Sequence, residues 1–367
     1  MIIGIDITPL LFPGTGVANY TYNLVKNLLK KDKENEYRLF FTSWKLNKKY
    51  SFLEEFQGLG ARIYRFPLPF QFFQMIWGNL NIAPIEWFIG KVDIFYANDF
   101  LRSPSKIKTI TTVHDLVWKI YPEFHKNFIS KTHEKKIKKT IKYGDIIIAD
   151  SQTTRKDLIS LYPEIDQNRV HVVYPGISEN LRPITDPQTL NKYYSKYLLY
   201  VGAIDPRKNL ITAIEIFSEL IKDSKFSDYR FFISGNAGWQ KEEIDKRIAG
   251  LGMTGRVKLI GYIKDEELPA LYSAAKLTLY LSSYEGFGLP PLESLACGTP
   301  VLAGDNSSMK ETLKEEFLVD VNSKEKILKK MKYLLENDVK IDSSDVQKRF
   351  DWTSKAEEFL KIVRQLK

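Results

Sequence analysis

The sequence predicts an α/β protein built from two doubly wound domains. Three observations carry that expectation. Short apolar runs alternate with amphipathic stretches along the whole chain. Those runs are mostly β-branched or aromatic and nearly uninterrupted, as in parallel strands covered by helices on both faces. The chain has 367 residues, enough for about two domains.

In the first half, strand-like runs occupy 2–7, 37–42, 62–66, 92–96, 108–113, 145–149 and 170–173. In the second half they occupy 197–201, 230–234, 257–260, 277–281 and 300–303, with helical patterns at 210–221 and 266–275. Strands alternating with helices mean βαβ units. The stretch 174–186 has no period and carries Pro175, Gly176 and Pro183, so it reads as a connection. The expected domains are therefore 1–178 and 179–349, followed by a closing segment, 350–367. From 353 that segment is amphipathic, with Ala356, Phe359, Leu360, Ile362, Val363 and Leu366 on its apolar side. Ligands of such sheets sit beyond the carboxyl ends of the strands, so the expected site is a cleft between the domains.

Composition removes several classes. Hydrophobic residues at 44% and charged residues at 27% fit a globular chain rather than a disordered one. The single cysteine, Cys297, cannot form an internal disulfide, and no Cys/His spacing suits zinc. This fits a reducing, cytoplasmic setting. The opening Met-Ile-Ile-Gly-Ile-Asp-Ile lacks a basic n-region and a cleavage site, so it reads as a first strand rather than a secretory signal. No run of about 20 apolar residues is present to span a bilayer. The net charge of +9 favours polyanions or an anionic membrane surface. Nucleic acid is not the expected partner, because no RNP, zinc-finger or helix-turn-helix signature accompanies the charge.

The most informative segment is Tyr284-Glu285-Gly286-Phe287-Gly288-Leu289-Pro290-Pro291-Leu292-Glu293, directly after the run 277–281. Gly286 and Gly288 let backbone turn tightly and approach a ligand. Two prolines then suit a first helical turn. A strand, a glycine turn and a helix start make a cradle for anions or hydroxyls, and Glu285 and Glu293 are acceptors for sugar and ribose hydroxyls. Taken singly, each glutamate could equally be a solvated residue favoured by a helix N-terminus.

A second segment, Val201-Gly202-Ala203-Ile204-Asp205-Pro206-Arg207-Lys208-Asn209, ends a strand in glycine and delivers two cations before a helix. Such a loop suits a diphosphate, although alone it also fits a basic surface turn. A third, Phe12-Pro13-Gly14-Thr15-Gly16-Val17, links the first strand to a helix, with Asn19 where a dinucleotide fingerprint would carry its third glycine. A fourth, His114-Asp115, follows the run 108–113. Asp305-Asn306-Ser307-Ser308 follows the run 300–303 and could border phosphates.

The decapeptide and its continuation through Ala303 resemble the signature of glycosyltransferase family 4, with its two glutamates separated by seven residues. The resemblance covers nearly the whole chain, most closely 196–312 and least 45–90. It implies a GT-B fold whose C-terminal helix crosses back to the N-terminal domain, and transfer with retention of anomeric configuration. It implies that Lys208 holds the donor diphosphate and that His114 contacts the transferred sugar. The Gly14–Gly16 loop would lie over the phosphates, and the loops at Gly202, Gly235 and Tyr262 near the nucleotide. Gly286, Phe287, Gly288 and Leu289 would line the donor, with Glu285 on the sugar and Glu293 on the ribose. Many members carry an arginine straight after the glycine where this chain has Ala203, so Arg207 is the candidate for the second charge.

The style is that of bacterial surface-polysaccharide mannosyltransferases, making GDP-mannose the first expected donor and UDP-glucose, UDP-galactose or UDP-N-acetylglucosamine the alternatives. No metal or other cofactor is expected, because no Asp-x-Asp motif stands out and cationic side chains would replace the ion. The expected acceptor is a glycan or lipid-linked glycan. The aromatic stretch 66–90 and the lysines 126, 131, 135, 136, 138, 139 and 142 suit peripheral contact with the inner membrane face, and equally a packed loop beside a solvated helix. Rival readings are a sugar-nucleotide epimerase or hydrolase of the same fold, a non-catalytic nucleotide-sugar-binding subunit of a polysaccharide complex, and a basic nucleic-acid binder.

Overall fold

Seven parallel strands form the first sheet: β1 (Ile2–Asp6), β2 (Glu36–Thr42), β3 (Arg62–Phe66), β4 (Ile94–Ala97), β5 (Lys108–Val113), β6 (Ile146–Ala149) and β7 (Val170–Val172), in the order β3-β2-β1-β4-β5-β6-β7. Six more form the second: β8 (Tyr197–Val201), β9 (Arg230–Ser234), β10 (Val257–Gly261), β11 (Leu277–Tyr280), β12 (Val301–Gly304) and β13 (Leu318–Val319), in the order β10-β9-β8-β11-β12-β13. The computed structural model describes residues 1–45, 48–98, 101–124, 127–235 and 240–366. The chain divides into two compact units, Met1–Gly176 with Trp352–Lys367, and Ile177–Asp351.

The first unit shows why its strands read as unbroken apolar runs. Side chains alternate across a sheet. Leu39 and Phe41 of β2, with Ile94 and Tyr96 of β4, enter a core on one face, whereas Phe40 and Phe95 enter a second core on the other. Both faces are thus covered, and polar positions would be stranded on either. The helix Gly16–Lys31 lays Ala18, Tyr20, Leu24, Val25 and Leu28 on the first core. Its start is fixed by Thr15, whose hydroxyl accepts from Ala18 N at 3.2 Å, one of the donors a helix start leaves open.

The closing helix, Trp352–Gln365, belongs to this unit, so the chain crosses back after its second sheet. Phe359 packs edge-on to Tyr96 at 5.0 Å and Trp352 to Tyr20 at 5.3 Å. The second core holds Phe73, Ile76, Trp77, Ile85 and Ile89, so much of the aromatic stretch 66–90 is interior. Met75, Leu80, Ile82 and Trp87 of the same stretch stay exposed. A π-helical turn, Gln74–Leu80, follows the short helix Phe70–Phe73; the sequence pattern did not suggest it. The lysine-rich stretch forms the helix Asn127–Tyr143, while Lys126 lies outside the described residues.

In the second unit, β8 and β11 are neighbours at the centre of the sheet. Strand order reverses there, so the chain leaves their carboxyl ends in opposite directions and opens a crevice. The helix Leu210–Leu220 buries Ala213, Ile214, Ile216, Phe217 and Leu220. β13 was not foreseen, since two residues carry no period. The run 300–303 begins pairing at Val301, because Pro300 offers only its carbonyl, which accepts from Thr278 N at 2.9 Å.

Candidate functional site

The switch point of the second unit gathers the charged residues the sequence singled out. Asp205 caps a 3-10 turn, Pro206–Lys208, by accepting from Arg207 N at 3.1 Å. The loop after β8 is then fastened to the loop after β11. Ser283 N donates to Arg207 O at 2.8 Å, and Asn209 Nδ2 donates to Leu281 O at 2.9 Å and to Ser283 Oγ at 2.8 Å. This zipper brings Arg207 and Lys208 to Glu285 across more than seventy residues of sequence.

Lys208 faces inward rather than standing in an open basic loop; only 5% of it is exposed, and the same holds for Glu285. Its Nζ pairs with Glu285 Oε1 and donates to Tyr280 Oη at 2.6 Å. Arg207 Nη1 donates to the other oxygen, Oε2, and to Tyr284 O, at 2.8 and 2.9 Å. Ser282 Oγ donates to Oε1 at 2.5 Å. Asp205 Oδ1 lies 3.6 Å from Arg207 Nε, so two cations and two carboxylates share the cluster. Burial alone would raise the Glu285 carboxyl, but Arg207 and Lys208 outweigh it and hold it at about 2. Burial and the adjacent Arg207 draw the Lys208 amine down to about 8, against the pull of Glu285.

Backbone around Glu285 is clasped from the loop after β12. Ser307 Oγ accepts from Glu285 N at 2.9 Å, Ser308 Oγ donates to Glu285 O and Phe287 O at 3.0 and 2.8 Å, and Asn306 Nδ2 donates to Ser282 O at 2.8 Å. These residues, read from sequence as bordering phosphates, hold the glycine turn in place. Gly286 and Phe287 are buried, and the Phe287 ring meets Phe350 at 5.8 Å. Gly288 caps the helix Leu289–Ala296 at φ 85°, and a Cβ there would run into Met309, so glycine is required. Leu289 opens that helix and is half-buried.

Glu293 lies on the same helix and has a different partner: Tyr272 Oη donates to its Oε2 at 2.9 Å. Tyr272, like Tyr280 of the Lys208 cluster, is fully buried. Burial lifts the Glu293 carboxyl to about 7, with the Tyr272 hydrogen bond acting in the other direction. Gly202 N donates to Ser234 O and Gly235 N to Gly261 O, both at 2.9 Å. A Cβ at Gly235 would overlap the Gly202 carbonyl oxygen, so the ends of β8, β9 and β10 meet backbone to backbone. Tyr262 follows, 50% exposed, with its hydroxyl 3.3 Å from Asp265 Oδ1. Ala203 is exposed and its carbonyl accepts from Tyr200 Oη at 2.7 Å.

The first unit carries its own polar edge at the strand ends. His114, after β5, and Asp150, after β6, meet through Nδ1 and Oδ2 at 2.7 Å, and Tyr20 packs edge-on to the imidazole at 5.0 Å. Burial raises Asp150, and His114 draws it back. Asp6, ending β1, accepts from Thr8 N at 2.9 Å, and burial lifts its carboxyl to about 6. Gly14 is exposed at φ 79°, and Gly16, the first residue of its helix, has open space where a Cβ would sit. Packing therefore leaves Gly16 free to be another residue.

Sequence reasoning missed Asp6, Asp150, Tyr272, Tyr280 and Ser282. One signal was available. In Leu277-Thr278-Leu279-Tyr280-Leu281-Ser282 the oxygen-bearing side chains alternate, which places them on one face of β11 and its extension. All three are used: Ser294 Oγ donates to Thr278 Oγ1 at 2.8 Å, and Tyr280 and Ser282 serve the Lys208–Glu285 cluster. Among the described residues no group of three or more His, Cys, Asp or Glu side chains is placed to hold a metal ion. None of the described helices is long and apolar enough to cross a membrane.

Two parallel doubly wound units, with the last helix returned to the first, define a protein of the GT-B class. Residues 14–181 match the family model Glycosyltransferase Family 4, and residues 183–358 match Glycosyl transferases group 1. The chain belongs to glycosyltransferase family 4. It is similar to O-antigen chain mannosyltransferase B of Escherichia coli, 27% identical over 324 residues that cover 85% of this chain and 84% of the relative. Serotype-specific mannosyltransferase WbdA of Escherichia coli is 29% identical over 256 residues, 64% of this chain and 30% of the relative. The fold is shared with sucrose-phosphate synthase from Thermosynechococcus elongatus (TM-score 0.77, 18% identity, 100% and 99% of the two chains). It is also shared with Anabaena Alr3699/HepE in complex with UDP and glucose (TM-score 0.71, 16% identity, 100% of both chains).

Proposed function

We propose that this glycosyltransferase moves a hexose, with retention of configuration, from a nucleotide sugar to a glycan or lipid-linked glycan during surface-polysaccharide assembly. The observation that carries this reading is the buried Lys208–Glu285–Arg207 cluster at the crossover between β8 and β11. GDP-mannose is the first donor, supported by the two Escherichia coli mannosyltransferases. A UDP-hexose is the second, favoured by the HepE structure with UDP and glucose.

Lys208 and Arg207 turn to the donor diphosphate, stabilise the charge that develops on it and release Glu285 to accept sugar hydroxyls. Glu293 takes the ribose, and the loops of Gly202, Tyr262 and Gly286–Leu289 enclose the nucleotide. His114 contacts the sugar, oriented by Asp150, and Gly14 and Gly16 let their loop close over the phosphates. The bond from the anomeric carbon to phosphate oxygen breaks, and the acceptor oxygen bonds to the same face. Its proton passes to the leaving phosphate oxygen, so no protein nucleophile takes part. The cations serve without a divalent metal, and the enzyme works in the cytoplasm at the inner membrane face.

The test is transfer of labelled sugar from GDP-mannose, UDP-glucose, UDP-galactose and UDP-N-acetylglucosamine to lipid-linked glycan acceptors, with and without EDTA. Lys208→Ala and Glu293→Ala weaken donor binding, whereas Glu285→Ala mainly slows transfer. Wild-type donor affinity and turnover in all three variants would sink the assignment. Donor binding without turnover on any acceptor would favour a non-catalytic subunit instead.

A further inference from the structure

Within the first unit, a cavity of about 290 Å³ lies between the π-helical turn Gln74–Leu80 and the helix Asn127–Tyr143. Five basic residues line it, Arg102, Lys131, Lys135, Lys136 and Lys139, although the buried Lys136 directs its amine to Thr112 O at 2.8 Å. No Asp or Glu is among its described lining residues. Arg102 is already matched by Asp145, through hydrogen bonds of 2.9 and 2.7 Å. Lys131, Lys135 and Lys139 are spaced by four residues, so they stack along one side of the helix. Like charges in that arrangement weaken a helix, a cost that the hydrogen bonds of Lys135 and Lys139 to the turn offset only in part, and Lys131 has no such bond among those described.

The amines are also aimed. Lys139 Nζ donates to the carbonyls of Trp77 and Gly78, and Lys135 Nζ donates to Asn79 Oδ1 at 2.8 Å. The irregular turn thus supplies acceptors that hold both side chains over the cavity. Burial, and then Lys135, Arg102 and Lys142, draw the Lys139 amine down to about 8. Beside them the lining mixes polar Gln71, Gln74, Asn79 and Thr132 with apolar Met75, Trp77, Leu101 and Phe128. Trp77 is buried, while Met75 and Phe128 are 46% and 64% exposed.

We infer that this cavity binds a phosphate or diphosphate group carried on an apolar chain. Compact ammonium groups serve as point charges for phosphate, and Met75 and Phe128 cover the first carbons of the chain. Such a group belongs either to the carrier of a lipid-linked acceptor or to a membrane phospholipid. The acceptor role rests on the function proposed above; the binding itself does not.

Dodecyl phosphate below its micellar concentration and inorganic pyrophosphate are titrated calorimetrically into the full chain. The expected result is saturable one-to-one binding of dodecyl phosphate. It weakens at least tenfold in Lys131→Ala/Lys135→Ala, both exposed positions. Phe128→Ser weakens dodecyl phosphate at least threefold and leaves pyrophosphate unchanged. GDP and UDP binding, measured in the same samples, stays at the wild-type level in both variants. Loss of nucleotide binding by the wild type with dodecyl phosphate retained would sink the donor reading and spare this one. Absence of saturable dodecyl phosphate binding, or equal affinity in the lysine variant, overturns the inference. So does association confined to phosphatidylglycerol vesicles, which would mark a merely basic surface. If the soluble ester binds, weaker competition by phosphatidylglycerol than by a prenyl diphosphate assigns the site to the acceptor carrier; the reverse order assigns it to the phospholipid.

Discussion

Lys208 and Glu285 answer to one another at the scale of single groups, and their burial sets what substitution costs. Lys208→Ala leaves Glu285 with Arg207 at 2.8 Å. The expected loss is therefore about 1–3 kcal/mol, the range for a stranded buried hydrogen-bonding group, rather than the about 3–5 kcal/mol of an isolated buried pair cut in half. Urea denaturation measures it. Glu293 gives a pH signature. Burial lifts its folded carboxyl to about 7 from an ordinary 4.5, so the folded protein holds the extra proton between those values and stability falls as pH rises across that window. Glu293→Gln is expected to flatten that slope. If the ionised form takes the ribose, donor affinity climbs from pH 6 to pH 8 in the wild type and loses that climb in the variant.

Elements explain why certain glycines recur at strand ends. Gly235→Ala would press a Cβ on the Gly202 carbonyl, and backbone on both sides must move. We expect a loss of at least about 1 kcal/mol and weaker nucleotide binding, read by thermal shift with and without GDP or UDP. Gly16→Ala separates folding from function. Its Cβ enters open space at the start of a helix, so stability should rise by about 0.4–1 kcal/mol. If the loop must close on the donor, transfer falls nonetheless; unchanged transfer would remove Gly16 from the site. At this scale most of the sheet was legible, because buried parallel strands write themselves as unbroken apolar runs. The π-helical turn was not, since Phe70 to Trp77 are apolar almost throughout and show no period. β13 was too short to show one.

The whole molecule is two units with a returning helix, and the units predict separate behaviour. Phe359 packs on Tyr96 inside the first unit's core. Phe359→Ala should cost that unit about 3–5 kcal/mol and leave the second, Ile177–Asp351, untouched. Calorimetry would then show one transition moved and the other in place. A single transition shifted as a whole would mean that the units unfold together.

The chain's own order of residues determined the class of fold, the alternation of strands and helices, and the glycine turns that end the strands, because each depends on neighbours within a few positions. It also marked Lys208, Glu285 and Glu293 as a set, through local motifs after two strands. Only the folded sheet decided that Lys208 faces inward on Glu285 and Tyr280, that Tyr272 holds Glu293, and that Asp150 holds His114. Those partners come from strand ends and helices adjacent in space and distant in sequence, and burial, which moves their proton affinities, exists only once the sheets and helices have closed over them.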